Sequence, residues 1–472
     1  MRRPSLLHSR KVLERMTTIK TAGQIRHAAH LGWAKKFEQM AGGVFLHVAE
    51  VGWYVWDGKR YGPDKRNQVR RTVHTMFARE RTRIAKLQDQ EAREKAQKYV
   101  ARYETASAIS GILTEAAVLE AFSVVADDLD ADPYLLNVGN GTIELDTGKV
   151  RDHQQSDRIT KICRASYDPA ATSTRWTTFL ETVLPDELVR TYLQRVVGLS
   201  LFGRVNGDKQ ILPILTGEGA NGKTTCIEAV SFALGDYAMP AEPTLLMATG
   251  HGDKHPTGVA DLMGARFVSV SETEENRRFN IALLKMLTGG DRIKARLMRQ
   301  DFFYFDPSHL LILATNHLPR IDDVTESVWR RIRVIPFSVI IPEGERDEGL
   351  KQEFELVADA ILTWALDGWL DYQKLGKLDA PAGVMAATNE YRGESDSVGR
   401  FIADECITGS AQGGTQTKML FARWEKWATR EGCEPMGSVS FGKHLDTKGF
   451  PADKSGDRLR RGIILTLLKG DL

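Results

Sequence analysis

The sequence predicts an α/β protein in consecutive parts. These are an α+β N-terminal domain (1–175), a P-loop core (176–345), a helical extension and linker (346–379) and a winged-helix-like unit (380–472). Three observations carry this expectation. Residues 210–225, QILPILTGEGANGKTT, join a short apolar run to a glycine-rich loop and a lysine–threonine pair. Further strand-like apolar runs follow at 266–271, 309–315 and 332–337, with helical spacing between them, as in an α/β core. Residues 388–469 then hold three helical stretches and a closing strand.

Composition bounds the classes available. A chain of 472 residues exceeds one ordinary domain, and 42% hydrophobic with 27% charged residues is the balance of a soluble globular protein. The net charge of +2 means that any nucleic-acid site is a local patch. The four cysteines, Cys163, Cys226, Cys406 and Cys433, form no C-x-x-C pair, which argues against a zinc site and for a reducing, cytoplasmic compartment. Apolar runs such as 310–314 fall far short of membrane-spanning length, so no membrane partner is expected. The opening MRRPSLLHSRKVLERM is basic without a continuous apolar core, which points away from a secretory signal and toward a frayed end or translation from Met16.

Taken in order, residues 22–40 read as a helix and GWYVWDGKRY as a β-hairpin turning at Asp57-Gly58. Its tryptophans are expected in the core more than on a base-stacking platform. Residues 59–103 carry Lys65, Arg66, Arg70, Arg71, Arg79, Arg81 and Arg83, while Val69, Val73, Met76 and Phe77 fall at helical spacing on the opposite side. That basic face either tracks a phosphate backbone or is a solvated surface. The pair Asp128 and Asp130 has the D-x-D spacing of a two-metal site, but it precedes a proline and an Asn140-Gly141 turn, where aspartates cap structure.

Residues 176–201 show helical spacing and lead into the P-loop strand. Pro213 cannot donate within a central strand, so the usable strand is 214–216. Gly217, Gly219 and Gly222 permit backbone angles that turn N–H groups inward, and Glu218, Ala220, Asn221 and Thr225 complete the loop. Such a nest at a helix N-terminus binds phosphate. Lys223 can reach the β- and γ-phosphates of ATP, and the Thr224 hydroxyl can ligate Mg2+.

The run RFVSVSETEE ends a strand in Glu272, the first acid, and Glu274, the second. A carboxylate there would hold the metal or polarise water. Next, TGGDRIKARLMRQDFFYFDP places Arg292, Lys294, Arg296 and Arg299 on two strand-like runs with Phe302 and Tyr304, a ribbon suited to phosphate contact and base stacking. The bland alternative packs Phe303 and Phe305 inward and leaves the cations merely exposed. Asn316 ends the following strand, where a carboxamide can orient water near the γ-phosphate, and Arg330 and Arg331 precede the last one. Adjacent arginines suit charge stabilisation in phosphoryl transfer.

The order P-loop, strand-terminal acid, basic ribbon, strand-terminal asparagine, arginine pair resembles the superfamily 3 helicases. The wording is similar to the phage and plasmid primase-helicase family that includes the poxvirus primase-helicase. The matching text is GEGANGKTT, DLMGARFVSVSETEE, LLKMLTGGDRIKAR, LLILATNHLPRI and VWRRIRVIPF, with LLNVGNGTIELDTGKV before the ATPase. The resemblance implies an AAA+-type core in a homohexameric ring, ATP between subunits, and 3′-to-5′ movement on single-stranded DNA. It assigns Lys223, Thr224, Glu272 and Asn316 to the nucleotide pocket and Arg330 or Arg331 to the neighbour's site. Relatives often carry two adjacent acids where this chain has Glu272-Thr273, so metal ligand and base stay unresolved between Glu272 and Glu274. No zinc cluster or polymerase acid set accompanies the motifs, so a primase or polymerase is expected as a separate partner.

In the last unit, helices at 398–407, 417–431 and 439–448 with a strand at 458–468 point to a winged helix. Lys443, His444 and Lys448 on its third helix, and Lys454, Arg458, Arg460 and Arg461 on its wing, are the candidate contacts to duplex DNA; a protein-docking module is the competing reading. The function expected is an ATP-dependent replicative helicase of a phage, plasmid or integrated element. The alternative is a replication initiator or scaffold in which ATP drives assembly without unwinding.

Overall fold

A computed structural model describes residues 22–248, 257–271, 277–296, 302–321, 325–409, 413–433, 436–453 and 458–466. The chain forms two units, the first running up to Asp132 and regaining Asp152–Lys161, the second made of Pro133–Arg151 and everything from Ile162.

The first unit contains α1 (Ala22–Ala41), β1 (Phe45–Val48), β2 (Gly52–Trp56), β3 (Tyr61–Pro63), α2 (Gln68–Ala85), α3 (Gln90–Ala101), α4 (Ala106–Ala116) and β4 (Ser123–Val124). Its sheet runs β3-β2-β1-β4. The hairpin turns where expected, because Asp57 Oδ1 accepts from the N–H groups of Lys59 (2.8 Å) and Arg60 (2.9 Å) and Gly58 takes a φ of 104°. Trp53 packs edge-on against Phe37, Phe45 and Phe122, so it serves the core. On α2, Val69, Val73, Met76 and Phe77 are buried as the spacing predicts. The D-x-D aspartates also act as caps: Asp128 accepts from Val125 N (3.0 Å), and Asp130 from Thr160 N (2.8 Å).

The second unit opens with a three-stranded meander, β5 (Leu135–Val138), β6 (Gly141–Glu144) and β7 (Lys149–Arg151). Two helices, α5 (Thr174–Val183) and α6 (Glu187–Ser200), stand where a single helical lead-in is predicted, because Pro185 breaks the run and Asp186 caps the new helix. The core elements are β8 (Leu212–Thr216), α7 (Lys223–Leu234), β9 (Ala238–Ala241), α8 (Thr257–Ala260), β10 (Phe267–Ser271) and α9 (Ile281–Leu287). They continue as β11 (Ile293–Arg296), β12 (Phe302–Phe305), β13 (Leu310–Thr315), α10 (Glu326–Trp329) and β14 (Ile332–Pro336). Five strands form an all-parallel sheet in the order β14-β8-β13-β10-β9. Both faces are covered: Leu310, Ile312 and Ala314 of β13 join one apolar cluster, Leu311 and Leu313 the other. Parallel strands buried on both sides read as continuous apolar runs, which is why they were visible in the sequence.

Pro213 is tolerated for a definite reason. Leu212 N–H bonds Arg331 O of the β14 side (2.7 Å), so the donor that Pro213 lacks would point toward β13, whose pairing with β8 begins only at Ile214. The meander differs from the boundary expected at residue 175, since it belongs to the second unit. Arg266, at the foot of β10, is 4% exposed and donates to Leu135 O (2.7 Å), and Trp369 Nε1 donates to Leu145 O (2.7 Å).

Helices α11 (Leu350–Leu356), α12 (Ala358–Leu375) and α13 (Ala382–Ser395) follow. Thr388 of α13 accepts from Val334 N of β14 (3.0 Å), so this helix packs on the core sheet instead of opening the last subdomain at 380. The remaining elements are α14 (Ser397–Glu405), β15 (Cys406–Thr408), β16 (Gly414–Gln416), α15 (Thr417–Arg430), α16 (Ser438–Thr447), β17 (Leu459–Arg461) and β18 (Ile463–Leu465). The three predicted helices are present within two residues. The predicted single strand is two, divided at Gly462 (φ 78°), with β17 paired to β16 and β18 to β15. Among the described residues, no helix is long and apolar enough to cross a membrane.

Candidate functional site

The P-loop connects the C-terminal end of β8 to α7, at the edge of the sheet where open parallel sheets bind ligands. Gly217 has φ 154°, and a Cβ there would lie 2.2 Å from Phe337 O; Gly222 has φ 81°, and its Cβ would meet Val183 at 2.6 Å. These two glycines are required by geometry. Gly219 is not: it has no positive φ and nothing within 4 Å, while Ala220 takes the left-handed turn at φ 59°. Asn221 fastens the loop to the end of β14 by donating to Phe337 O (3.1 Å), and Ile341 N–H donates to Ala220 O (2.8 Å). Asn221 therefore holds the loop's shape, a role its position alone did not announce.

Lys223 is 5% exposed, and burial lowers its pKa. Its ammonium donates to Gly217 O (2.7 Å), Asn221 Oδ1 (2.9 Å), Asn316 Oδ1 (3.0 Å) and Glu218 O (3.4 Å). Among the described residues no carboxylate pairs with it. A desolvated cation surrounded by neutral oxygens is poised for an anion, and the cavity of about 240 Å³ beside it supplies the room. Gly219–Thr225, Ser271, Ala314, Thr315 and Asn316 line that cavity. Thr224 is exposed there, and its hydroxyl has no hydrogen-bond partner among the described residues. Backbone N–H groups, a cation and a hydroxyl fit a nucleoside triphosphate with Mg2+. Glu272 and Glu274 lie outside the described residues, but Ser271, directly before Glu272, lines the cavity from the tip of β10.

The arginine pair separates cleanly. Arg330 is exposed at the end of α10, whereas Arg331 is 8% exposed and its guanidinium donates to Thr288 Oγ1 (3.1 Å) and to Ser327 O. Burial, then the neighbouring Arg330, lowers the Arg331 pKa. Thr288 follows α9 and in turn donates to Leu284 O (2.7 Å). One residue earlier, Leu287 O accepts from His309 Nε2 (2.9 Å), a fully buried imidazole whose pKa burial pushes down to about 4, so it stays neutral.

Beyond Thr288 rises the ribbon, β11 paired antiparallel with β12 in the register Lys294↔Tyr304 and Arg296↔Phe302. Ile293, Ala295 and Phe305 are buried and Phe303 half-buried, while Lys294, Arg296, Phe302 (52% exposed) and Tyr304 (53%) share the outer face. Both sequence readings hold at once, divided by strand alternation. Lys294 lies 4.6 Å from the Phe302 ring centre and Arg296 5.2 Å. Arg292 donates to Tyr304 O (3.1 Å) and faces Asp306 (3.6 Å), and Arg299 lies outside the described residues.

The C-terminal cations fare differently. Lys443 is exposed on α16, but Lys448 is ion-paired with Asp396. Arg460 is 4% exposed, committed to Thr417 Oγ1 (3.0 Å), Asp446 and Phe450 O. Expected on an open wing, it instead ties β17 to α15 and α16, because only those acceptors compensate a buried guanidinium. Lys454 lies outside the described residues.

Comparison with known proteins agrees with this arrangement. The family described as "D5 N terminal like" matches residues 34–185, and a "Family of unknown function (DUF5906)" matches 215–331, from the P-loop strand to the arginine pair. A protein of Acanthamoeba polyphaga mimivirus named "Putative helicase" is 28% identical over 341 residues, covering 67% of this chain and 35% of its own length. One of African swine fever virus named "Putative primase" is 25% identical over 323 residues, covering 63% of this chain and 33% of its own. The chain thus spans about a third of the length of these curated relatives. A solved apo structure of the NrS-1 C-terminal region aligns at 12% identity with a TM-score of 0.41, over 68% of this chain and 88% of that one. The fold and the site define a protein of the P-loop α/β class. Within it, this chain belongs with the primase-helicase proteins of large DNA viruses.

Proposed function

We propose that the protein is an ATP-dependent DNA helicase motor of superfamily 3, with an AAA+-type core working in a ring that shares each ATP between neighbouring subunits. The observation that carries this reading is the Lys223–Asn316 hydrogen bond of 3.0 Å, which brings the P-loop and the tip of β13 to one cavity. Bound Mg-ATP supplies the phosphoanhydride to be cleaved and the metal that spreads its charge. The chain's own groups do the rest. Loop N–H groups and Lys223 hold the phosphates, Thr224 offers its hydroxyl to the metal, and Asn316 orients water. Glu272 is the proposed base or metal ligand, and Arg330, exposed and unanchored, is the proposed contribution to the next subunit's site.

In this reading the ribbon is the tool that hydrolysis moves. Its foot is held at two points, Leu287 by His309, which starts the strand ending at Asn316, and Thr288 by Arg331, which adjoins Arg330. Removing the Thr288 hydroxyl by Thr288→Val should therefore reduce the stimulation of ATPase by single-stranded DNA while basal turnover and DNA affinity persist, and Thr288→Ser should restore it. Phe302→Ala with Tyr304→Ala should weaken oligonucleotide binding by roughly 1–3 kcal/mol per lost stack. Fluorescence anisotropy checks the latter; unchanged affinity would remove the ribbon from the DNA path. The experiment for the whole reading is strand displacement from a forked duplex.

A further inference from the structure

We propose that the outer face of α2 is a second binding site for a nucleic-acid backbone, separate from the ribbon. Between residues 65 and 88 the chain carries eight lysines and arginines and one acid, Glu80. That acid is turned inward: it is 7% exposed and takes hydrogen bonds from Arg83 and Lys36. Three other cations are also committed, Arg70 to Ala106 O (3.3 Å) and Ser110 Oγ (3.4 Å), Arg81 to Glu104, and Arg83 to Glu80. Lys65, Arg66, Arg71, Arg79 and Lys86 are exposed, with no acidic partner among the described residues. A protein whose net charge is only +2 concentrates uncompensated charge here.

The geometry selects the partner. Arg66, Gln68, Arg71, Thr72 and Thr75 line one shallow hollow on the helix surface. Eight residues separate Arg71 from Arg79, about 12 Å along the axis at the helical rise, comparable to three or four successive phosphates of one strand at roughly 3.4 Å each. Guanidinium forks flanked by hydroxyl and amide side chains match phosphate oxygens. A protein partner would call for apolar anchors, and residues 65–88 contribute no exposed large hydrophobic side chain. The inference is therefore a sequence-independent grip on DNA or RNA strands, made by the first unit.

The test is a salt titration of full-length protein binding a fluorescein-labelled oligothymidylate, comparing wild type, Arg66→Ala/Arg71→Ala/Arg79→Ala and the corresponding triple lysine variant. Loss of three phosphate contacts should flatten the slope of log K against log salt by about 2 and weaken binding about 100-fold near 0.1 M salt, while the lysine variant keeps the slope. Basal ATP hydrolysis, equal in all three, reports intact folding. A wild-type slope and affinity in the alanine variant would overturn the proposal, as would displacement of the oligonucleotide by polyglutamate at equal charge concentration. Failure of ATP hydrolysis in the wild type would count against the motor reading and leave this slope comparison standing.

Discussion

Replacing Lys223 by alanine lowers the turnover number for ATP hydrolysis by roughly 10²–10³, the cost of removing one preorganised charge-stabilising donor from a phosphoryl-transfer site. The protein still folds. The ammonium is buried against carbonyl and carboxamide oxygens and, among the described residues, has no carboxylate to strand, so its loss removes a desolvated charge more than a native contact. Steady-state ATPase measurements with a thermal melt beside them check both halves. Unchanged turnover would mean that the cavity between β8 and β13 is not where ATP reacts.

The adjacent arginines should part company under the same substitution. Arg330→Ala is expected to leave the melting temperature within a few degrees of wild type and to reduce turnover by about 10³–10⁵, the range for an arginine finger. Arg331→Ala should instead destabilise the fold by on the order of 1–3 kcal/mol, because it strips hydrogen bonds from the buried Thr288 hydroxyl and Ser327 carbonyl. If subunits share the site, mixing Arg330→Ala with Lys223→Ala protein regains activity that neither has alone, since some interfaces then pair an intact P-loop with an intact arginine. Absence of recovery at any mixing ratio would place Arg330 outside the reaction.

How much of this was readable from the chain depends on the range over which each feature is decided. The P-loop, the strands ending at Ser271 and Asn316, and the ribbon with its split faces are set by local spacing, and all stand where spacing places them. What escaped is decided by distant partners. Arg331 and Arg460 look like free cations in sequence, yet each is buried against acceptors from other elements, Thr288 for one and Asp446 with Thr417 for the other. The meander at Pro133–Arg151 precedes the core in sequence but folds with it through Arg266 and Trp369, a placement no local pattern encodes. The break at Pro185 was visible in principle, because a proline followed by a capping aspartate ends one helix and begins another.

Strand separation tests the central claim most directly. On a forked DNA duplex with labelled strands, wild-type protein with Mg-ATP should release the labelled strand, and Lys223→Ala protein should bind the same fork without releasing it. Robust DNA-dependent ATP hydrolysis by the wild type with no strand released, on forks carrying either a 3′ or a 5′ tail, would contradict a helicase.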